Sequence, residues 1–215
     1  MQSDSLLRVD NLSFERGQWP LFSGVTLQLL EGDIVLVEGA NGCGKTTLIR
    51  LLTTLLTPST GTLAYRGRSL DEVRYDYLND ILYIGHQSGV KGSMSARENL
   101  TWMLSNDLGK GVLDGAPDQI ENALVTLGLQ SVMDIPCQHL SMGQIRRVAL
   151  ARLVCSSASL WFLDEPFAAL DAEGIELIQN LMRQHRRRQG AILLTSHQDL
   201  AIRPLRTYNL EKRRG

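Results

Sequence analysis

Apolar and polar positions alternate along Leu6–Phe14 and again along Leu21–Leu29, and the stretch between them, Gly17–Pro20, is turn-forming. A period of two is the pattern of a strand with one face covered, so this region predicts two strands on either side of a turn. Ile34–Val37 is instead an unbroken aliphatic run ending at Glu38 and Gly39, as in a strand buried on both faces. After a glycine-rich turn, Thr46–Leu56 predicts a helix that stops short of Pro58. Thr62–Tyr65 and Ile81–Ile84 predict two more strands. Strand signals then nearly vanish from Gln87 to His139, where Ala96–Leu104 and Gln119–Leu127 have helical periodicity on either side of a Gly- and Asp-rich loop, Asn106–Gly115. Afterwards helix and strand alternate again: Gly143–Ser156, Leu160–Leu163, Gly174–Arg188 and Ala191–Thr195. This order predicts an α/β fold with a mostly parallel sheet. Its core would span residues 1–86 and 140–215, with a helical subdomain inserted at about 87–139.

A chain of 215 residues with 43% hydrophobic content can bury one sizeable core. The net charge of −1 argues neither for nucleic acid nor for acidic substrates as partners, and no nucleic-acid partner is expected. No apolar run reaches the roughly 18–20 residues that span a bilayer. Met1–Asp10 lacks the basic and apolar regions of a signal peptide, so membrane work is expected to go through a partner chain. The three cysteines, Cys43, Cys137 and Cys155, are far apart and fit a reducing compartment better than a disulfide framework or a metal site.

Chemistry enters with Gly39-Ala40-Asn41-Gly42-Cys43-Gly44-Lys45-Thr46, which matches G-x-x-x-x-G-K-S/T after a buried strand and at the head of a helix. In such a cradle backbone N–H groups curl around phosphate oxygens. Gly39, Gly42 and Gly44 permit the dihedrals, and the helix N-terminus adds a partial positive charge of about 0.5. Lys45 brings a full charge to the β and γ phosphates of a nucleotide such as ATP, the Thr46 hydroxyl is offered to Mg²⁺, and Thr47 extends the site. A second element, Leu160–Leu163, ends in Asp164 and Glu165. Carboxylates at the C-terminal end of a buried strand face the crevice where α/β proteins bind ligands. Asp164 is placed to hold Mg²⁺, and Glu165 to polarise an attacking water as general base.

Leu140-Ser141-Met142-Gly143-Gln144, which opens the helix running through Arg146–Arg152, resembles the Leu-Ser-Gly-Gly-Gln signature of the ABC ATPases. That resemblance covers essentially the whole chain. It implies a RecA-like P-loop NTPase core, an antiparallel N-terminal β subdomain and an inserted helical subdomain. It further implies that Ser141, Gly143 and Gln144 cap an ATP held by the P-loop of a second copy, so that ATP joins two subunits head to tail. Gln87 matches the glutamine loop that senses metal and water. Ala169-Leu170-Asp171 matches the segment crossing the dimer interface, and His197 the switch histidine at the terminal phosphate. Two positions depart from the pattern: Met142 stands where the family has Gly, and Arg16 where it stacks an aromatic on adenine. A guanidinium also stacks on a base, so Arg16 is expected to serve, with Phe14 and Trp19 as alternatives.

Residues Ile84–Lys91, Glu98–Leu100, Arg146–Leu153 and Leu160–Phe167 together resemble one subfamily, the ATPase subunits of the cytochrome c maturation heme exporters (the CcmA family). The resemblance implies a heme-transporting ATPase acting with membrane subunits CcmB and CcmC. It would sit peripherally on the cytoplasmic face of the bacterial inner membrane or its mitochondrial equivalent. The motifs alone leave open an ABC motor for lipid or lipoprotein export, or a soluble assembly protein switched by ATP. His86 and His197 are expected at the nucleotide site and His139 and His185 on the surface. His185–Arg188 and Lys212–Arg214 are expected to be solvated basic clusters.

Overall fold

A computed structural model of the chain describes residues 5–106, 117–198 and 200–210. The loop expected at Asn106–Gly115 lies almost wholly outside these residues, as does the basic cluster Lys212–Arg214. The alternating N-terminal segments form β1 (Leu7–Arg16) and β2 (Trp19–Leu29), which pair antiparallel; β1 also pairs antiparallel with β4 (Thr60–Tyr65). With β5 (Arg68–Ser69) they make a sheet of order β2-β1-β4-β5. The unbroken apolar runs, joined at one edge by the polar segment Arg206–Asn209, form a second, wholly parallel sheet of order β6-β7-β8-β3-β9. Its strands are β3 (Ile34–Glu38), β6 (Ile81–Ile84), β7 (Leu160–Asp164), β8 (Ala191–Thr195) and β9 (Arg206–Asn209).

Every residue of β7 and β8 is buried, because both faces of the parallel sheet are covered. Trp161, Leu163, Ile192 and Leu194 face one core with α3 (Ala96–Asn106), α4 (Pro117–Thr126), α5 (Met142–Leu150), α6 (Arg152–Cys155) and α7 (Ala172–Arg187). Leu160, Phe162, Ala191 and Leu193 face the other, with the antiparallel sheet, α1 (Lys45–Leu52) and α2 (Leu70–Asn79). Each buried Leu, Ile or Phe side chain is stabilising by about 1.5–3 kcal/mol, so the two faces are the main source of stability.

Helix α1 ends at Leu52, earlier than the expected Leu56. Thr54 enters the left-handed region (φ 58°), the Thr53 hydroxyl donates back to Ile49 O at 3.0 Å, and the Leu55 and Leu56 amides both turn back to Arg50 O. Such side-chain competition for backbone is why threonine ends helices. The buried Tyr77 hydroxyl donates to Leu52 O at 2.6 Å and so tethers α2 to the end of α1. The helix read as Gly143–Ser156 is divided into α5 and α6 at Ala151.

Among the described residues, none from Gln87 up to β7 forms a strand. The chain's approach to α3 is organised by Asn99, a fully buried amide that accepts from Lys91 N and donates to Lys91 O, Met94 O and Ser95 O at 2.8–3.1 Å. Ser95 and Glu98 cap α3 reciprocally, a capping box.

The surface position expected for His185 is incorrect. Its ring is buried and stacks on Trp161 at 3.8 Å between centroids, 13° from parallel. It comes from the apolar face of α7, and Gly190 leaves it room, since a Cβ at 190 would lie 2.1 Å from His185 Nε2. Burial lowers its pKa to about 4. Of the four residues His185–Arg188, Arg187 and Arg188 are exposed, and Arg186 is partly buried, donating to the carbonyls of Gly32 and Arg203.

Candidate functional site

The loop between β3 and α1 sits at the C-terminal edge of the parallel sheet. Gly44 adopts φ 109°, and a Cβ there would lie 2.8 Å from the Phe22 ring and 3.0 Å from Leu21. Only glycine therefore lets the loop turn into the helix against β2. The first helical bond runs from Leu48 N to Gly44 O at 2.8 Å, so the N–H groups of Lys45, Thr46 and Thr47 have no partner within the helix and face out of its N-terminal end. Lys45 Nζ donates to Gly39 O at 2.7 Å and to Ala40 O at 3.4 Å, which holds the ammonium over the loop. The Cys43 side chain turns inward and is buried.

Asp164 ends β7, and in the parallel register Thr195 of β8 stands beside it. Asp164 Oδ1 accepts from the Thr195 hydroxyl at 2.8 Å, while Oδ2 is buried with no hydrogen-bond partner. A buried unpaired carboxylate oxygen is costly unless a cation occupies it. Glu165 sits in the left-handed region (φ 50°), a conformation that costs a non-glycine residue about 1–3 kcal/mol. Its N–H donates to Thr195 Oγ1 at 2.9 Å. Its carboxylate accepts from His197 N at 3.2 Å and lies 3.5 Å from His197 Nε2.

These groups line one cleft of about 390 Å³. Asn41, Gly42, Gly44, Lys45, Thr46 and Thr47 line it together with Asp164, Glu165, His197 and His86. Arg16 and Leu21 also line it. Gly39 lines a neighbouring hollow with Glu38, Lys45 and His197. Gln87 is exposed beyond His86 and does not line the cleft; Ala40 and Cys43 do not line it either. Phe14 packs on the core of the antiparallel sheet, and Trp19 is exposed and does not line the cleft.

Ser141, Gly143, Gln144 and Asp171 lie outside the cleft. Ser141 caps α5 by accepting from Gln144 N at 3.2 Å, and Gln144 Oε1 accepts from Ser141 N at 2.9 Å. Gly143 lies so close to Ala169 O that a Cβ would stand 2.8 Å from it. Asp171 caps α7 through Gly174 N (2.9 Å) and pairs with Arg147 (2.5 Å); these contacts, the backbone one first, hold its pKa below the usual carboxylate range. Met142 is 71% exposed beside them.

Two residues that the motifs do not single out join the parts. Thr195 serves both acidic residues. Arg146, buried on α5, donates to Gly85 O (2.8 Å), Glu165 O (2.8 Å) and Asp164 O (3.1 Å). Burial lowers its pKa, against the raising influence of Asp164 and Glu165. One guanidinium thereby ties α5 to the ends of β6 and β7. Each partner is a backbone carbonyl, which leaves no trace in the sequence. The available signal was an arginine on the buried face of α5.

Residues 22–168 match the ABC transporter family. The cytochrome c biogenesis ATP-binding export protein CcmA of Saccharophagus degradans is 40% identical over 95% of this chain and 92% of its own length. That of Escherichia coli K12 is 43% identical over 92% and 91%. A Pyrococcus furiosus protein described as an ABC transporter ATP-binding protein superimposes with a TM-score of 0.79 at 25% identity, covering 95% and 96% of the two chains. An ATP-binding cassette solved as a dimer with ADP and Pi after hydrolysis has a TM-score of 0.77 at 22% identity and covers 89% and 88%; it speaks for the fold alone. By its motifs, its sheets and these relatives, the chain belongs to the ABC transporter ATP-binding family and, within it, to the CcmA group.

Proposed function

We propose that this chain is the ATP-hydrolysing subunit of an ABC transporter complex for cytochrome c biogenesis, converting ATP and water to ADP and phosphate to drive heme export or release of a heme-loaded chaperone. The observation that carries the reading is the single cleft in which the P-loop faces Asp164, Glu165 and His197. Lys45 and the N–H groups opening α1 would hold the β and γ phosphates, and Arg16 would cover the base. The residues fit a divalent cation: Thr46 offers a hydroxyl and Asp164 a buried oxygen without a partner, both lining that cleft; Gln87, outside the cleft in this structure, would have to move inward to be a further ligand. Mg²⁺ held there would offset the charge developing on the phosphate oxygens. Glu165 would take a proton from the water that attacks the γ phosphorus as the bond to the β-γ bridging oxygen breaks. His197 would orient the carboxylate through the contacts described and donate to the γ-phosphoryl group as it passes from ADP to water.

In this reading Ser141, Gly143 and Gln144 of each copy cap the ATP of the other, and Asp171 lies at the crossing between them. Residues 1–86 and 140–215 form the nucleotide-binding core, with 87–139 as the helical subdomain. The segment Gln87–Asn99 passes the closing motion to CcmB and CcmC at the cytoplasmic face of the inner membrane. Family membership supports the ATPase, and the names of the relatives support the cytochrome c role.

The test is MgATP turnover by the purified chain, alone and with co-expressed CcmB and CcmC. Glu165→Gln should lower turnover by about 10²–10⁴-fold and leave ATP binding intact. Stimulation by CcmB and CcmC supports the heme-system role; Glu165-dependent turnover indifferent to them keeps the ATPase and removes the assigned cargo. Wild-type turnover in Glu165→Gln would sink the site.

A further inference from the structure

The end of β8 meets the end of β7 through one hydroxyl. Thr195 is fully buried and directly beside Asp164 in the parallel register. A hydroxyl has one proton to give and lone pairs to receive. Here the proton goes to Asp164 Oδ1 at 2.8 Å, and a lone pair accepts the Glu165 N–H at 2.9 Å. These bonds have different consequences. The first leaves Oδ2 as the oxygen without a partner, and so as the one a cation would need. The second holds the left-handed backbone of Glu165, from which its carboxylate reaches the His197 amide and ring.

We infer that Thr195 is a positioning residue for hydrolysis, with its hydroxyl setting both the metal-facing oxygen of Asp164 and the backbone turn that aims Glu165. The inference rests on the reading that Asp164 holds the metal and Glu165 takes the proton. It adds a group that touches neither substrate nor metal. Because the threonine methyl only fills space, the hydroxyl and the shape can be separated by substitution. Valine keeps the shape and leaves a buried N–H and a buried carboxylate oxygen unpaired; serine keeps the hydroxyl and loses the methyl.

The experiment measures steady-state ATP turnover against Mg²⁺ concentration, together with ATP binding in EDTA, for wild type, Thr195→Val, Thr195→Ser and Thr195→Ala. Groups that orient a metal ligand are worth about 10–100-fold in metal affinity or activity. Thr195→Val should therefore weaken the apparent Mg²⁺ affinity and lower kcat by about that factor. Metal-free ATP binding should stay unchanged, and Thr195→Ser should restore both quantities. A change in overall stability alone would not move the Mg²⁺ midpoint apart from metal-free binding. If the valine variant does not fold, alanine and serine decide: serine close to wild type with alanine impaired in Mg²⁺ dependence supports the inference, and the two behaving alike overturns it. Wild-type Mg²⁺ dependence and kcat in Thr195→Val also overturn it. Glu165→Gln, measured alongside, separates the two levels. If it turns over like wild type, the reading of the site fails; if it is inactive while Thr195→Val is normal, only the role of Thr195 fails.

Discussion

Arg16 lines the cleft from the end of β1, where it pairs with Trp19. A guanidinium covers a purine without reading its edge, so the chain should bind ATP and GTP with similar affinity in a competition titration. Arg16→Tyr should tighten ATP binding by up to about 10-fold, since a ring stacked on a base contributes about 1–3 kcal/mol. A strong ATP preference in the wild type would remove Arg16 from that role. The P-loop residues were legible from spacing because their chemistry resides in residue type. Thr195 was not, because it looks like the last residue of an apolar strand and gains its meaning only from register with Asp164. His185 misled for the opposite reason: it begins a basic run in sequence, yet it falls on the buried stripe of α7 with Ile178, Leu181 and Met182.

Helix α5 is held at three points: Gly143 against Ala169 O, Arg147 on Asp171, and Arg146 on the carbonyls of Gly85 and Glu165, just past the ends of β6 and β7. Its position is thus tied to the residues around Glu165. Arg146→Lys should show how strongly. Lysine keeps the charge and loses the planar fork, and each buried carbonyl left without a donor costs about 1–3 kcal/mol. The expected outcome is a lowered denaturation midpoint together with reduced turnover, read by chemical unfolding and by ATPase assay on the same preparation. Unchanged values for both would show that the fork is dispensable. Elements with strong periodicity were legible before any coordinates. Helix α2 was not, although Leu70, Val73 and Tyr77 have helical spacing, because exposed charged residues and Tyr75 surround them and the helix kinks at Val73. Strand β9 reads as polar and exposed, and only pairing with β3 makes it a strand.

Across the whole molecule, the parallel sheet joins two layers, and His185 helps close its lower end by stacking on β7 from α7. Desolvation is the main cause of its low pKa, assisted by Arg188, while the contacts with Ser159, Ala191 and Asp80 act the other way. The unfolded chain, with a histidine pKa near 6.5, therefore binds more protons than the native one between about pH 4 and 6.5. This group's stabilisation is full above that window and is lost as pH falls through it, with a slope of at most about 1.4 kcal/mol per pH unit. Urea unfolding at stepped pH should show that slope, and His185→Phe, which keeps the stack, should flatten it; an equal slope in both would assign the effect elsewhere. The two-sided sheet has a further consequence, for divergence between relatives. Neighbouring residues of β7 belong to different layers: Trp161 and Leu163 to one, Leu160 and Phe162 to the other. Substitutions can therefore accumulate on the face packed against α3–α7 without disturbing the packing behind the phosphate cradle. Each strand then carries two interleaved histories, and the ends of β7 and β8 are where they must agree.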